Sequence, residues 1–279
     1  MTSIPAIRLD DGHEFPQIGF GTYPLKGEEG VTAIRSALDA GYRLLDTAVN
    51  YDNEVEVGEA LRASGLPRED VQITTKVPGR DHGYDETLRS LTGSLERLGV
   101  DHVDLYLIHW PNPSRDRFVD TWRAMIELRS RGLARSIGVS NFTADYLTRL
   151  VDETGVMPAV NQVELHPYFP QAELLAFHEE HDIVTEAWSP LGKAAKPHEN
   201  EVVTSIAEKY GVTPGQVVLR WHVERGVIAI PKSATPSRQK ENLDIFGFEL
   251  SEDDVDAITA LGRPDGRLFG GDPTTHEEM

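Results

Sequence analysis

Val103-Asp104-Leu105-Tyr106-Leu107-Ile108-His109 is an apolar run of strand length that closes on a titratable side chain, and the arrangement recurs upstream. Val71-Gln72-Ile73-Thr74-Thr75-Lys76 closes on Lys76. Arg43-Leu44-Leu45-Asp46 closes on Asp46, with Tyr51 following in the loop Asp46-Thr47-Ala48-Val49-Asn50-Tyr51. Such runs return at roughly thirty-residue intervals with amphipathic segments between them, the pattern of strand–helix units that build a parallel sheet. The chain therefore reads as an α/β protein, a (β/α)8 TIM barrel, whose reactive groups gather at the carboxyl ends of the strands. Side chains far apart in sequence then share one mouth.

Working outward, core strands are expected near Gly19 to Gly21, Leu44 to Asp46, Gln72 to Lys76, Asp104 to Ile108, Ser136 to Ser140, Val160 to Glu164, Val184 to Trp188 and Val227 to Ile230. Ahead of them, Ala6 to Leu9 and Glu14 to Gln17, joined around Asp11-Gly12, suggest an N-terminal β-hairpin that plugs the barrel. Leu88, Leu91, Leu95 and Leu98 form a helical stripe that Gly99 ends, and Phe118, Trp122, Met125 and Ile126 form another. Thr213-Pro214-Gly215-Gln216 combines a capping Thr, Pro at the first helical position and Gln three residues after the cap. Ser251-Glu252-Asp253-Asp254 opens a further helix. From Gly262 onward the last 18 residues have no period, so a C-terminal loop over the active-site mouth is expected. No repeat or linker divides residues 1–279, and one domain is expected.

Composition narrows the function. The 279 residues contain no cysteine, which excludes disulfides, thiol nucleophiles and thiolate metal sites. A formal charge of −19 repels polyanions and acidic membranes, so nucleic acid is not an expected partner. No apolar run approaches the roughly 20 residues of a spanning helix, and no leader is apparent. A soluble, cytoplasmic monomer is expected.

A tyrosine beside a protonated lysine makes a proton donor, because the cation stabilises phenolate and lowers a pKa from about 10. Asp46 would keep Lys76 charged, and His109 could hydrogen-bond a substrate oxygen. Tyr51 would then protonate an oxygen that gains charge, such as a carbonyl receiving hydride. Asp46 and Lys76 also fit an ion pair that only closes the barrel, and His109 alone fits a hydrogen-bonded core histidine.

Against the acidic background, Pro231-Lys232-Ser233-Ala234-Thr235-Pro236-Ser237-Arg238-Gln239-Lys240 is locally basic. It follows the eighth strand and opens a helix expected to run to about Phe246, so free backbone amides join Lys232, Ser233 and Arg238 in a phosphate site. Arg grips phosphate at two points where Lys acts as a point charge. A solvated helix start is the plainer alternative. Ser140, Asn141 and Gln162 can hydrogen-bond a carboxamide and Trp188 can stack on an aromatic ring, which together suggest nicotinamide. Alternatively they cap strands and pack the core. Gly19-Phe20-Gly21-Thr22-Tyr23-Pro24 lacks the third glycine of a Rossmann fingerprint.

These residues lie in segments that resemble the aldo-keto reductases along nearly the whole chain: Gly41 to Ala48, Asp104 to Pro111, Ser136 to Phe142, Asn161 to Pro167, Ile230 to Ser233 and Glu241-Asn242. Length and the tail Gly271 to Met279 are most similar to the bacterial 2,5-diketo-D-gluconate reductases within that family. The resemblance implies NADPH-dependent reduction of a carbonyl to an alcohol, with 2,5-diketo-D-gluconate, giving 2-keto-L-gulonate, or related small polar keto compounds as substrate. It implies that Asp46, Tyr51, Lys76 and His109 are the catalytic tetrad, with Tyr51 as general acid. It further implies that Ser140, Asn141, Gln162, Trp188, Ser189 and Leu191 hold the nicotinamide end. Lys232, Ser233 and Arg238 would hold the 2′-phosphate, with Glu241 and Asn242 at the adenine. Tyr23, Trp110 and Phe269 would form the substrate pocket. One departure stands out: many relatives carry Trp two residues after the catalytic Lys, where this chain has Pro78.

His178-Glu179-Glu180-His181 is not a zinc motif and reads as a solvated helix face, and no metal is expected. Glu277-Glu278 reads as surface charge. Two other functions fit parts of the pattern. One is a metal-dependent hydrolase with Asp46 and His109 as ligands; the other is a nucleotide-sensing subunit that binds without turnover.

Overall fold

Two-residue alternation along each strand decides which side chains enter the barrel. The computed structural model describes residues 4–268 and 270–279. Strands β1 (Ala6–Arg8) and β2 (Glu14–Pro16) pair antiparallel as the expected hairpin. An eight-stranded parallel sheet follows: β3 (Phe20–Gly21), β4 (Leu44–Asp46), β5 (Gln72–Val77), β6 (Val103–Ile108), β7 (Ala134–Ser140), β8 (Val160–Glu164), β9 (Val184–Trp188) and β10 (Ile228–Ile230), each bonded to its neighbour in chain order. The sheet closes where Ile18 bridges Ala229 and where Gly19 N donates to Ala229 O at 2.9 Å and Gly21 N to Pro231 O at 3.0 Å. Closure removes the exposed strand edges.

On β6, Leu105 and Leu107 point inward, whereas Tyr106 and Ile108 pack outward against the helices. Leu44, Val160, Ile228 and Ile230 join the inward set, and Leu9 and Phe15 of the hairpin complete that cluster. The hairpin therefore closes the end of the barrel from which these strands start.

The outer layer is α1 (Gly27–Ala40), α2 (Glu54–Ser64), α3 (Tyr84–Leu98), α4 (Phe118–Ser130), α5 (Ala144–Thr154), α6 (Ala172–Glu180), α7 (Glu201–Tyr210), α8 (Pro214–Glu224), α9 (Pro236–Leu243) and α10 (Glu252–Thr259). The leucine stripe of α3 ends at Gly99, in the left-handed region at φ 69°, where a Cβ would be strained. Thr213 and Gln216 form a reciprocal capping box on α8, and Ser251 caps α10. Helix α9 stops at Leu243, short of the expected Phe246. There Asp244 leaves the helical conformation at φ −85° and ψ 59°, and its carbonyl accepts from Gln216 Nε2 at 2.7 Å while the Ile245 carbonyl accepts from Arg220 at 3.3 Å, so side chains of α8 hold the segment that follows the helix.

The histidines of α6 correct the expectation of a solvated pair. His178 is buried, its ring placed between Asn161 Nδ2 at 3.0 Å and Thr185 Oγ1 at 2.8 Å, and burial pushes its pKa down to about 4. His181 stacks on Phe177 at 4.1 Å between ring centroids. His178 fastens α6 to the barrel wall, while His181 caps the end of the helix against Phe177. No helix among the described residues is long and apolar enough to cross a membrane.

Because Phe15 is buried far from the strand ends that carry the titratable groups, Phe15→Ala is expected to cost about 3–5 kcal/mol of stability while leaving kcat unchanged. Urea unfolding paired with steady-state rates checks both parts.

Candidate active site

Inward parity carries the titratable residues to one end of the barrel. Asp46 lies two residues beyond Leu44, His109 two beyond Leu107 and Gln162 two beyond Val160, and Lys76 shares the inward row of β5 with Thr74. They converge at a cavity of about 700 Å³ lined by Asp46, Tyr51, His109, Ser140, Asn141, Gln162, Trp188, Ser189, Leu191 and Lys232, with Tyr23 and Trp110 at its rim. Lys76 lies beneath this lining, with no exposed surface.

The Lys76 ammonium donates to both Asp46 oxygens at 2.8 Å, to the Thr47 carbonyl at 2.9 Å and to the Tyr51 hydroxyl at 3.3 Å. Burial alone would lower its pKa, but Asp46 and Tyr51 outweigh burial and raise it, so the group stays an ammonium. The Tyr51 phenol departs from the expected lowering. Burial pushes it up to about 12, and Lys76 offsets only part of that rise. Tyr51 therefore holds its proton throughout the neutral range. The ammonium lies where it would stabilise phenolate once that proton leaves.

His109 faces Tyr51 edge-on, with ring centroids 5.6 Å apart. Its Nδ1 lies 2.8 Å from Oε1 of Glu278, an approach too oblique to count as a linear hydrogen bond. This corrects the reading of Glu278 as surface charge, whereas Glu277 is exposed as expected. Glu277 accepts from the Ser114 backbone at 2.7 Å, and Glu278 accepts from Asn50 Nδ2 at 2.7 Å. The expected covering loop is present along its described length. Its root is held where Leu268 N donates to the buried Glu164 at 2.7 Å, and farther on the His276 ring packs tilted against Trp110 with centroids 4.2 Å apart. Phe269 lies outside the described residues. Pro78 is buried next to the cavity without lining it.

The groups expected at a nicotinamide are already bonded to one another. Asn141, held at φ 64°, donates to the His109 carbonyl and Ser140 Oγ, both at 3.0 Å, and accepts from Trp188 Nε1 at 2.8 Å. Ser140 donates to the Gln162 carbonyl at 2.8 Å. Gln162 Nε2 donates to Asp46 at 2.8 Å and to Glu186 at 2.9 Å, leaving Oε1 as its other polar atom. At the far end, Lys232 and Arg238 are exposed, and Ser233 Oγ accepts from Thr235 N at 3.1 Å in the turn that opens α9. Glu241 and Asn242 have structural work as well: Glu241 accepts from Thr213 at 2.8 Å, and the buried Asn242 lies beside the Tyr42 hydroxyl. Among the described residues no cluster of three or more His, Asp or Glu is arranged to hold a metal.

The model of the aldo/keto reductase family matches residues 17–263. The chain belongs to that family. A 2,5-diketo-D-gluconic acid reductase B of Corynebacterium sp. (strain SHS752001) is 60% identical over the full length of both chains. The methylglyoxal reductase DkgA of Escherichia coli (strain K12) is 46% identical over 98% of each. Among solved structures, a Gox0644 variant in complex with NADPH superposes with a TM-score of 0.94 at 46% identity and 99% coverage of each chain. This aldo/keto reductase is thus an oxidoreductase of the NADPH type that acts on carbonyl groups.

Sequence reasoning missed Glu186, although inward parity on β9, two residues before Trp188, marks it. Burial first and Asp46 second push its carboxyl up to about 7. The folded state therefore binds a proton that the unfolded chain releases near 4.5, so stability falls as pH rises through the window between those values and is level above it. Glu186→Gln is expected to abolish that decline, on the order of 3 kcal/mol, in denaturation midpoints measured between pH 5 and 8.

Proposed function

We propose that this aldo/keto reductase reduces small polar keto acids and dicarbonyls with NADPH, that Tyr51 is the general acid, and that 2,5-diketo-D-gluconate, giving 2-keto-L-gulonate, is a substrate. The observation that carries the reading is the Lys76 ammonium, fixed between the Asp46 carboxylate and the Tyr51 hydroxyl beneath an open cavity.

The cavity residues fit the cofactor. Gln162 Oε1 is an acceptor suited to a carboxamide, Trp188 offers a ring face, and Lys232 with Arg238 supplies charge for a ribose phosphate. When bound, the dihydronicotinamide supplies the hydride. Tyr51 gives its proton to the carbonyl oxygen as the carbon is reduced, an alcohol forms, and Lys76 stabilises the phenolate until water reprotonates it. His109 orients the oxygen. Lys193 lines the same cavity, and an ammonium there suits the carboxylate of a keto acid. The substrates in the names of the Corynebacterium and E. coli relatives, a diketo acid and methylglyoxal, are of this small polar class.

Tyr51→Phe is expected to lower kcat/KM for 2,5-diketo-D-gluconate and methylglyoxal by roughly 10²–10⁴ while the NADPH Kd, read by fluorescence titration, stays unchanged. Full turnover by that variant would exclude Tyr51 as the acid. Lys232→Ala combined with Arg238→Ala is expected to weaken NADPH far more than NADH, and equal losses would place the phosphate elsewhere.

A further inference from the structure

We propose that Glu278 is a positioning residue for the reduction: its carboxylate holds His109 as the imidazolium, so that Nδ1 faces Glu278 while Nε2 donates to the carbonyl oxygen of the substrate. The inference rests on the roles of Tyr51 and His109 given under Proposed function.

A neutral imidazole that places its one N–H on a carboxylate turns a lone pair toward the other side. That lone pair would repel a carbonyl oxygen. The doubly protonated ring can present an N–H to Glu278 and another to substrate together, and although the approach is too oblique for a linear hydrogen bond, a carboxylate 2.8 Å from Nδ1 favours that form through its charge.

The carboxylate is built into place. Asn50 Nδ2 donates to Glu278 Oε1 at 2.7 Å and to the Met279 carbonyl at 3.1 Å, Arg80 reaches the same carbonyl at 3.3 Å, and Asn112 Nδ2 donates to the Glu278 carbonyl. Gly79 leaves room for this docking, since a Cβ there would collide with the Glu278 carbonyl oxygen. Burial pushes the Glu278 carboxyl up, but His109, Asn50 and the Gly79 backbone outweigh it and hold it below the ordinary range.

The other charged or titratable groups around the pair do not substitute for it. The Asp46 carboxylate is matched by Lys76. Tyr51 presents its ring to His109. His82, flanked by Arg115 and Arg117, is pushed down to about 4 by burial, and neither of its ring nitrogens has a partner. Arg80 bonds to Asn50 and Met279. Among the described residues Glu278 is the carboxylate paired with His109.

The test is an NMR titration of the His109 ring in the ligand-free protein, for wild type, Glu278→Gln, Glu278→Ala and, as a control, Glu277→Gln. Gln keeps an acceptor oxygen for Asn50 and so preserves tail docking, which thermal melting verifies. The His109 midpoint is expected to fall by about one pH unit or more in both Glu278 variants and to stay put in Glu277→Gln. The His-dependent limb of the kcat/KM profile is expected to shift by the same amount. An unchanged midpoint in Glu278→Gln overturns the proposal, as does a shifted midpoint with an unmoved profile. Wild type that binds NADPH but reduces no carbonyl would defeat the functional reading instead, and the titration would still decide whether Glu278 sets the charge of His109.

Discussion

A fully buried ammonium is the constraint on which the site depends. An unpaired charge at the Lys76 depth would be neutralised by loss of its proton, and Asp46, on the neighbouring inward row, prevents that by accepting two hydrogen bonds of 2.8 Å. Removing one partner of such a pair typically costs 3–5 kcal/mol. Close geometry is therefore enforced by desolvation as well as by attraction. The same network spreads sideways through Gln162, which bonds both Asp46 and Glu186, and upward to the Tyr51 hydroxyl. The barrel holds these groups rigidly because strand register sets their heights: Asp46 lies opposite Thr74, and Gln162 opposite Glu186.

Much of this was legible in the amino-acid order because a strand has only two faces. Apolar runs ending in Asp46, Lys76 and His109 located three strands and one end of the barrel together, and the eight expected strands match the observed ones to within a residue or two at each end. Residues that work through tertiary contact were illegible. Nothing local distinguishes Glu278 from the other carboxylates of an acidic chain, since its role depends on a tail returning across the mouth to Asn50, Asn112 and His109. His178 has the spacing of a solvated pair and is nevertheless buried against Asn161 and Thr185. The end of α9 was misjudged because the segment after Leu243 turns out of the helix at Asp244 and is held by side chains of α8, a contact distant in sequence. Glu186 is a different case, since parity marked it and a lone carboxylate within an apolar strand was the signal.

The residues proposed to hold the nicotinamide are fixed by one another before any ligand arrives. Ser140, Asn141 and Trp188 satisfy one another's donors, and Gln162 commits its nitrogen below, so each side chain presents a fixed remainder to the cavity. Orientation is set by folding. Little rotamer entropy then remains to be lost on binding. The two readings of these residues, as caps and as ligands, are therefore compatible, because the capping bonds fix the atoms that the proposed ligand contacts would use.

Charge at long range works against the expected ligands. A chain with a formal charge of −19 repels both a phosphorylated cofactor and a keto acid as they approach. Screening reduces that repulsion beyond a Debye length of about 8 Å at physiological ionic strength, so the cations that count are those close to the cavity. Lys193 and Lys232 line it, while Arg238 stands exposed on the opening turn of α9. Glu278, by contrast, brings negative charge to the mouth itself, where an anionic substrate would feel it most. The proposed pairing with His109 answers that objection, because an imidazolium and a carboxylate together would add no net charge while still presenting a donor to the substrate oxygen.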